Sequence, residues 1–346
     1  MDWTEYSRSV MQKCKQNEIP FYACFELTPF CNFACNMCYI RLTPNQAKKQ
    51  GVLLSTKQWI QLAEEAKKMG TMSLEITGGE AVIRDDFPIL YKAFIELGYL
   101  INLRSNGYLL KGNVLNILTE YKPRRIGITL YGASNETYYK ICGVKDGFSL
   151  VTHNILALKD AGFTLRLTMT VTKDNYQEVN VLKAWASEHG LEIHPYAGLF
   201  TPIRGAKRSI DHLRVDYFNK EIEESLCDQP IGYRQIEDRS VYMNPFWMCN
   251  GFGAMFCISW DGRMTLCNSM TAVWKDPFAQ GLENAYHSLY KDLRNIKRPK
   301  ECENCQYIDY CGACPTRFLS ETGRFDCISE KICAKTRFIY SKKMNK

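Results

Sequence analysis

The sequence predicts an α/β fold: a parallel sheet built from six strand–helix units, followed by a small cysteine-rich α+β module. Two observations carry that prediction. Between residues 21 and 205, short apolar runs alternate with amphipathic helical patterns. Such alternation implies parallel strands joined by crossover helices. From Cys249 onward cysteine dominates, and nine of the chain's 16 cysteines lie there.

The elements follow in order. Residues 1–20 form an N-terminal arm, and the apolar run 22–27 reads as the first strand. Ser55 and Gln58 have capping-box spacing and open a helix with Trp59, Leu62, Ala63 and Ala66 on one face, closed by Gly70. Strand 72–76 runs into Thr77-Gly78-Gly79-Glu80, and a helix follows over 86–98. Strand 100–104 leads to Ser105-Asn106-Gly107 and a helix over 113–120. Strand 126–130 leads to Tyr131-Gly132 and a helix over 149–162. Strand 164–171, a helix over 176–190 and strand 191–195 complete the series. Residues 206–245 are polar and mixed and read as a bridge, and 246–346 form the cysteine-rich domain. A parallel sheet gathers its chemistry at the C-terminal strand ends. The cysteine loop, Gly-Gly-Glu, Ser-Asn-Gly and Tyr-Gly all follow strands, so they are expected to converge on one rim.

Composition narrows the function. The net charge is +7, but the basic residues form no dominant block, which argues against a nucleic-acid partner. No apolar run approaches the roughly 20 residues of a membrane helix, and the first 20 residues alternate polar and apolar rather than forming a signal peptide. A cytoplasmic location follows, where thiols stay reduced and clustered cysteines read as metal ligands rather than disulfides.

Cys31-Asn-Phe-Ala-Cys35-Asn-Met-Cys38 places three thiols on one short loop. Three thiolates hold three irons of a cubane and leave one iron open to a small molecule. Zinc, completed by a ligand from elsewhere, is the alternative. With this spacing after the first strand and with Tyr39 following, residues 22 to about 200 resemble the radical S-adenosylmethionine (SAM) superfamily. The resemblance implies that the six units form a partial (β/α)6 TIM barrel. It implies a [4Fe–4S] cluster on Cys31, Cys35 and Cys38 that binds and reductively cleaves SAM. It further implies cofactor contacts from Tyr39, from Thr77, Gly78, Gly79 and Glu80 to the amino group of SAM, from Ser105 and Asn106, and from Thr129. The glycines would let a bare backbone approach the cofactor. Arg166, on the next strand, reads either as a partner for a carboxylate or as a structural ion pair.

Cys249 and Cys267 flank a Trp-Asp-Gly turn ending at Gly262 that suggests a hairpin. Cys302, Cys305, Cys311 and Cys314 follow with gaps of two, five and two residues, then Cys327 and Cys333. This order resembles the SPASM module, whose usual last gap is three. The resemblance implies two auxiliary [4Fe–4S] clusters, three clusters in all. The inner would take Cys249, Cys267 and Cys314, with Cys257 either a further ligand or a strand residue. The outer would take Cys302, Cys305, Cys311 and either Cys333 or Cys327. Structural zinc knots are the alternative. Cys14, Cys24, Cys142 and Cys227 fall outside these sets. Cys142, just past a rim strand, reads as a hydrogen donor to a substrate radical or as an ordinary buried residue.

Radical SAM enzymes with SPASM modules mostly modify peptides. The stretches from Ile128 to Ala133 and from Cys142 to Phe148 look closer to subtilosin-type maturases than to sulfatase maturases. The expected activity is hydrogen abstraction from a ribosomal peptide or small protein, giving a thioether, a C–C cross-link or an epimer. Sulfatase maturation, small-molecule dehydrogenation and a non-catalytic electron carrier are the alternatives. A flavodoxin or ferredoxin donor is expected under anaerobic conditions. The roughly 20 residues before the first strand are too few for a leader-binding domain, which points to a separate carrier protein, to direct recognition or to a small-molecule substrate.

Overall fold

The computed structural model describes residues 3–202, 209–216, 245–246 and 249–344. Most of the expected bridge, and Cys227, lie outside the described residues. The arm is helical, α1 (Trp3–Asn17), and an ion pair joins Glu18 just beyond it to Arg294. All six expected strands form: β1 (Tyr22–Glu26), β2 (Ser73–Thr77), β3 (Leu100–Ser105), β4 (Arg125–Leu130), β5 (Leu165–Thr170) and β6 (Ile193–Tyr196). Each pairs in parallel with its predecessor.

Two helices appear where only loop was expected, α2 (Pro44–Gln50) and α6 (Asn135–Cys142). The other crossover helices are α3 (Thr56–Lys68), α4 (Phe87–Glu96), α5 (Gly112–Glu120), α7 (Gly147–Asp160) and α8 (Val179–Glu188). The Ser55 capping box forms as expected, and Trp59, Leu62, Ala63 and Ala66 are buried. Trp59 meets Phe25 of β1 with ring centroids 5.0 Å apart. Burying side chains of this size contributes about 1.5–3 kcal/mol each, which fixes the helix layer on the sheet. Among the described residues no helix is long and apolar enough to cross a membrane.

The sheet continues past β1. A strand from the cysteine-rich region, β7 (Met255–Ile258), pairs in parallel with β1, with Cys24 opposite Cys257. β8 (Met264–Thr265) then returns antiparallel, giving an eight-stranded order β6-β5-β4-β3-β2-β1-β7-β8. The expected hairpin turns at Gly262, whose φ of +85° suits glycine and whose N–H donates to the Ser259 carbonyl at 2.8 Å. The cysteine-rich region thus shares one sheet with the barrel strands.

Strand alternation decides what faces the site. On β1 to β3, Ala23, Phe25, Leu74, Ile76, Ile101 and Leu103 enter the apolar core. The intervening positions are polar: Cys24, Glu26, Glu75, Thr77, Asn102 and Arg104.

Candidate active site

The segment from Thr28 to Phe30, which leads into the cysteine loop, is laid against the Gly78-Gly79 turn. Gly79 N–H donates to the Thr28 carbonyl at 2.6 Å, and Glu80 N–H donates to the Phe30 carbonyl at 2.8 Å. A Cβ at Gly79 would stand 2.1 Å from the Phe30 carbonyl oxygen, and one at Gly78, whose φ is +150°, would stand 2.6 Å from that of Thr28. The glycines therefore serve first to let two loops touch. The sequence reading gave them approach to the cofactor; the backbone that approaches them here belongs to the cysteine loop.

These loops border a cavity of about 480 Å³, lined by Cys31, Cys35, Cys38 and Tyr39 from the first loop. Thr77, Gly78 and Gly79 line it after β2, Ser105 and Asn106 after β3, and Thr129 on β4. Its size falls in the range of roughly 300–1,000 Å³ found for small-molecule sites. The expected convergence on one rim is met by these ten residues.

Hydrogen-bond donors are aimed at the thiols of the loop. Cys31 Sγ accepts from Phe33 N–H at 3.3 Å and from Asn106 Nδ2 at 3.6 Å, and Cys38 Sγ accepts from Arg41 N–H at 3.3 Å. Tyr131 stands beside Cys35, whose Sγ lies 3.5 Å from that of Cys142. Burial pushes the Cys31 thiol up to about 12. Cys35 is held well above the usual range, first by its bond to Cys142 and then by burial. Among the described residues no three histidine, cysteine, aspartate or glutamate side chains meet at a single-ion position; the three thiols border a shared cavity instead. Three thiols ringed by N–H donors and the Tyr131 side chain fit a cluster whose sulfurs carry negative charge.

Three expected residues do not line the cavity. Glu80 is 1% exposed, and its carboxylate accepts from Ser105 Oγ at 3.1 Å and Asn106 N–H at 2.7 Å. Burial lifts it to about 7 against these donors. Its role in this structure is to tie β2 to β3 and hold Asn106 against the cysteine loop. Arg166 is exposed on β5, four positions before Thr170, where that strand reaches the cavity. Two other arginines do line the cavity, Arg41 and Arg104, and Arg104 Nε donates to Glu75 at 2.8 Å. Cys142 is wholly buried behind Cys35, so it has no face on the cavity.

Arg104, Thr170, Tyr196, Phe200 and Asn268 line the cavity without having been expected there, and Tyr131, expected at the rim, joins them. Strand alternation offered the signal for Arg104, Thr170 and Tyr196, which share faces with Thr129. For Asn268 only the position next to Cys267 hinted at it; its Nδ2 donates to the Tyr39 hydroxyl at 2.9 Å.

The C-terminal cysteines fall into two groups. Burial raises Cys267 to about 12, with Cys249, Cys257 and Cys314 close enough to add to it. Burial raises Cys333 to about 11, with Cys311 and Cys302 adding to it, while Cys305 and Cys311 lie close to Cys302. Cys327 is exposed, and its thiol faces the Ile328 carbonyl at 3.8 Å. Cys257 is fully buried and stands opposite Cys24 across the β1–β7 pair, where it raises the Cys24 thiol well above its ordinary range.

Residues 25–186 match the radical SAM superfamily. The antilisterial bacteriocin subtilosin biosynthesis protein AlbA of Bacillus subtilis is 25% identical over 337 residues, covering 91% of this chain and 72% of that protein. A probable GTP 3′,8-cyclase of Saccharolobus islandicus is 30% identical over 261 residues, covering 70% of this chain and 80% of its own. In fold, the chain resembles Streptococcus suis SuiB bound to S-adenosylmethionine, with a TM-score of 0.69 at 17% identity over 95% of this chain and 81% of SuiB. The chain belongs to the radical SAM superfamily, and a [4Fe–4S] cluster and SAM are the cofactors of that family.

Proposed function

We propose that the chain is a peptide-modifying radical SAM enzyme with three [4Fe–4S] clusters. The observation that carries the reading is the meeting of Cys31, Cys35 and Cys38 with the Gly78-Gly79 turn and Asn106 at one cavity. When bound, the cluster and SAM supply one-electron cleavage of SAM and hydrogen abstraction from the substrate. Cys31, Cys35 and Cys38 hold the cluster, and Phe33, Arg41 and Asn106 orient its sulfurs through their N–H groups. Ser105, Asn106 and Thr129 offer short polar contacts to SAM, and Glu80 keeps the first two in place. The β1–β8 sheet and the apolar core beneath it keep water from the far side of the loop.

The peptide substrate is supported by the breadth of likeness. AlbA, a bacteriocin biosynthesis protein, aligns with 91% of this chain and so reaches the C-terminal cysteines, whereas the GTP cyclase aligns with 70%. SuiB, which shares the fold, has also been solved bound to its precursor peptide SuiA. For the auxiliary centres, Cys249, Cys267 and Cys314 form the inner set. Cys257, opposite Cys24 on the neighbouring strand, stands outside it, which would leave the inner cluster one protein ligand short. Cys302, Cys305, Cys311 and Cys333 form the outer set. A flavodoxin or ferredoxin supplies electrons, and a separate carrier presents the peptide.

The test is anaerobic coexpression with the short peptides encoded beside the gene, followed by mass spectrometry and chiral amino-acid analysis. A mass change or an inverted residue is expected in one of them. Unmodified peptides alongside turnover of a nucleotide or small alcohol would replace the peptide reading.

A further inference from the structure

The cysteine loop rests on the C-terminal end of α6. Ala34 N–H donates to the Cys142 carbonyl at 2.8 Å, and Asn36 N–H donates to the Ile141 carbonyl at 2.9 Å. These two bonds satisfy carbonyls that a helix end otherwise leaves open, and Gly143, at φ +74°, closes the helix. They bracket Cys35 in sequence and bring its sulfur within 3.5 Å of Cys142 Sγ. From the cavity side Tyr131 stands beside the same sulfur. The Tyr131 ring is held by edge contacts with Phe33 and Tyr138, at centroid distances of 6.1 and 6.0 Å.

When Cys35 binds iron it gives up its proton, so its sulfur becomes only an acceptor. The two neighbours then have one role each toward it: Tyr131 donates O–H, and Cys142 donates S–H. We propose that Tyr131 and Cys142 are positioning residues that donate two hydrogen bonds to the Cys35 thiolate and raise the reduction potential of the SAM-site cluster. Donors to a cluster sulfur stabilise the reduced state, which carries one more negative charge. The proposal rests on the family's cofactor and is independent of the peptide substrate. It gives Cys142 a task that suits its burial.

The test is a redox titration of anaerobically reconstituted protein by electron paramagnetic resonance, following the signal that shifts on adding SAM. Cys142→Ala and Tyr131→Phe are expected to move the potential of that signal lower, and Cys142→Ser, which keeps a donor, to stay near wild type. Tyr131→Phe preserves the ring packing, so it reads the same effect should Cys142→Ala fail to retain its cluster. Potentials unchanged in both donor-less variants, or Cys142→Ser falling as far as Cys142→Ala, would overturn the proposal.

Discussion

The chain carries cysteines in two settings, one framed closely by the fold and one with little apolar core around it. The loop of Cys31, Cys35 and Cys38 is framed by β1, the Gly78-Gly79 turn and the end of α6, with hydrogen bonds on every side. The segment after Asn295 consists of single turns at Lys300–Cys302 and Ile308–Tyr310 and two helices, Pro315–Thr322 and Glu330–Met344. Its buried apolar side chains include Ile308, Ala313 and Phe318, few for its length. On the proposed reading, so small a core leaves metal ligation to supply part of the folding free energy. The barrel loop is instead tied to its surroundings by hydrogen bonds.

The largest expected effect tests this directly. Cys35→Ala abolishes 5′-deoxyadenosine formation yet leaves the thermal melt of the barrel nearly intact. Cys302→Ala instead makes the chain after Asn295 sensitive to limited proteolysis and leaves SAM cleavage measurable. Proteolysis that starts in the barrel of the Cys302→Ala protein would erase the contrast.

Gly79→Ala comes next. A Cβ there collides with the Phe30 carbonyl oxygen at 2.1 Å, and forced overpacking costs about 1–3 kcal/mol. Urea unfolding of the metal-free protein is expected to show that loss, along with weaker SAM binding as the loops part. A neutral result would mean the loops separate at no cost.

The pH dependence of the metal-free protein reads Glu80. Its folded value is raised from 4.5 to about 7, so its stabilising share is complete below 4.5 and is lost as pH climbs through 7. Each unit is worth roughly 1.4 kcal/mol, so a loss of about 3 kcal/mol across that window is expected. Glu80→Gln should flatten the slope, as measured by denaturation at a series of pH values.

The smallest effect lies where the segment 209–216 meets the C-terminal region. Arg214 Nη1 and Nη2 reach Glu321 at 2.7 and 2.6 Å, with side chains 17% and 11% exposed. Glu321→Gln is expected to cost about 1 kcal/mol and to loosen the C-terminal segment rather than the barrel, a difference hydrogen exchange would resolve.

The sequence was informative where chemistry is local. Six strands follow from apolar runs, the Ser55 helix from its cap, and the rim from motifs placed after strands. α2 and α6 also carry local signals: Thr43 and Gln46 form a capping box with Pro44 behind Thr43, and Ser134 and Gly143 cap α6 at its two ends. What no local pattern reveals is contact across the chain. Cys35 and Cys142 are 107 residues apart, and Tyr39 and Asn268 are 229 apart. The placing of Cys257 opposite Cys24 depends on β7 joining the edge of β1, a register set by tertiary packing. Glu80 and Arg166 had the right chemistry at plausible places, but only the fold decides which polar residue ends on the cavity wall.

The most direct test of the central claim is anaerobic incubation of the iron-reconstituted protein with SAM and a low-potential reductant, quantifying 5′-deoxyadenosine. The account requires its steady release from the wild-type chain and none from a variant with Cys31, Cys35 and Cys38 all changed to Ala. Equal release from both proteins, or none from either at full iron loading, would contradict it.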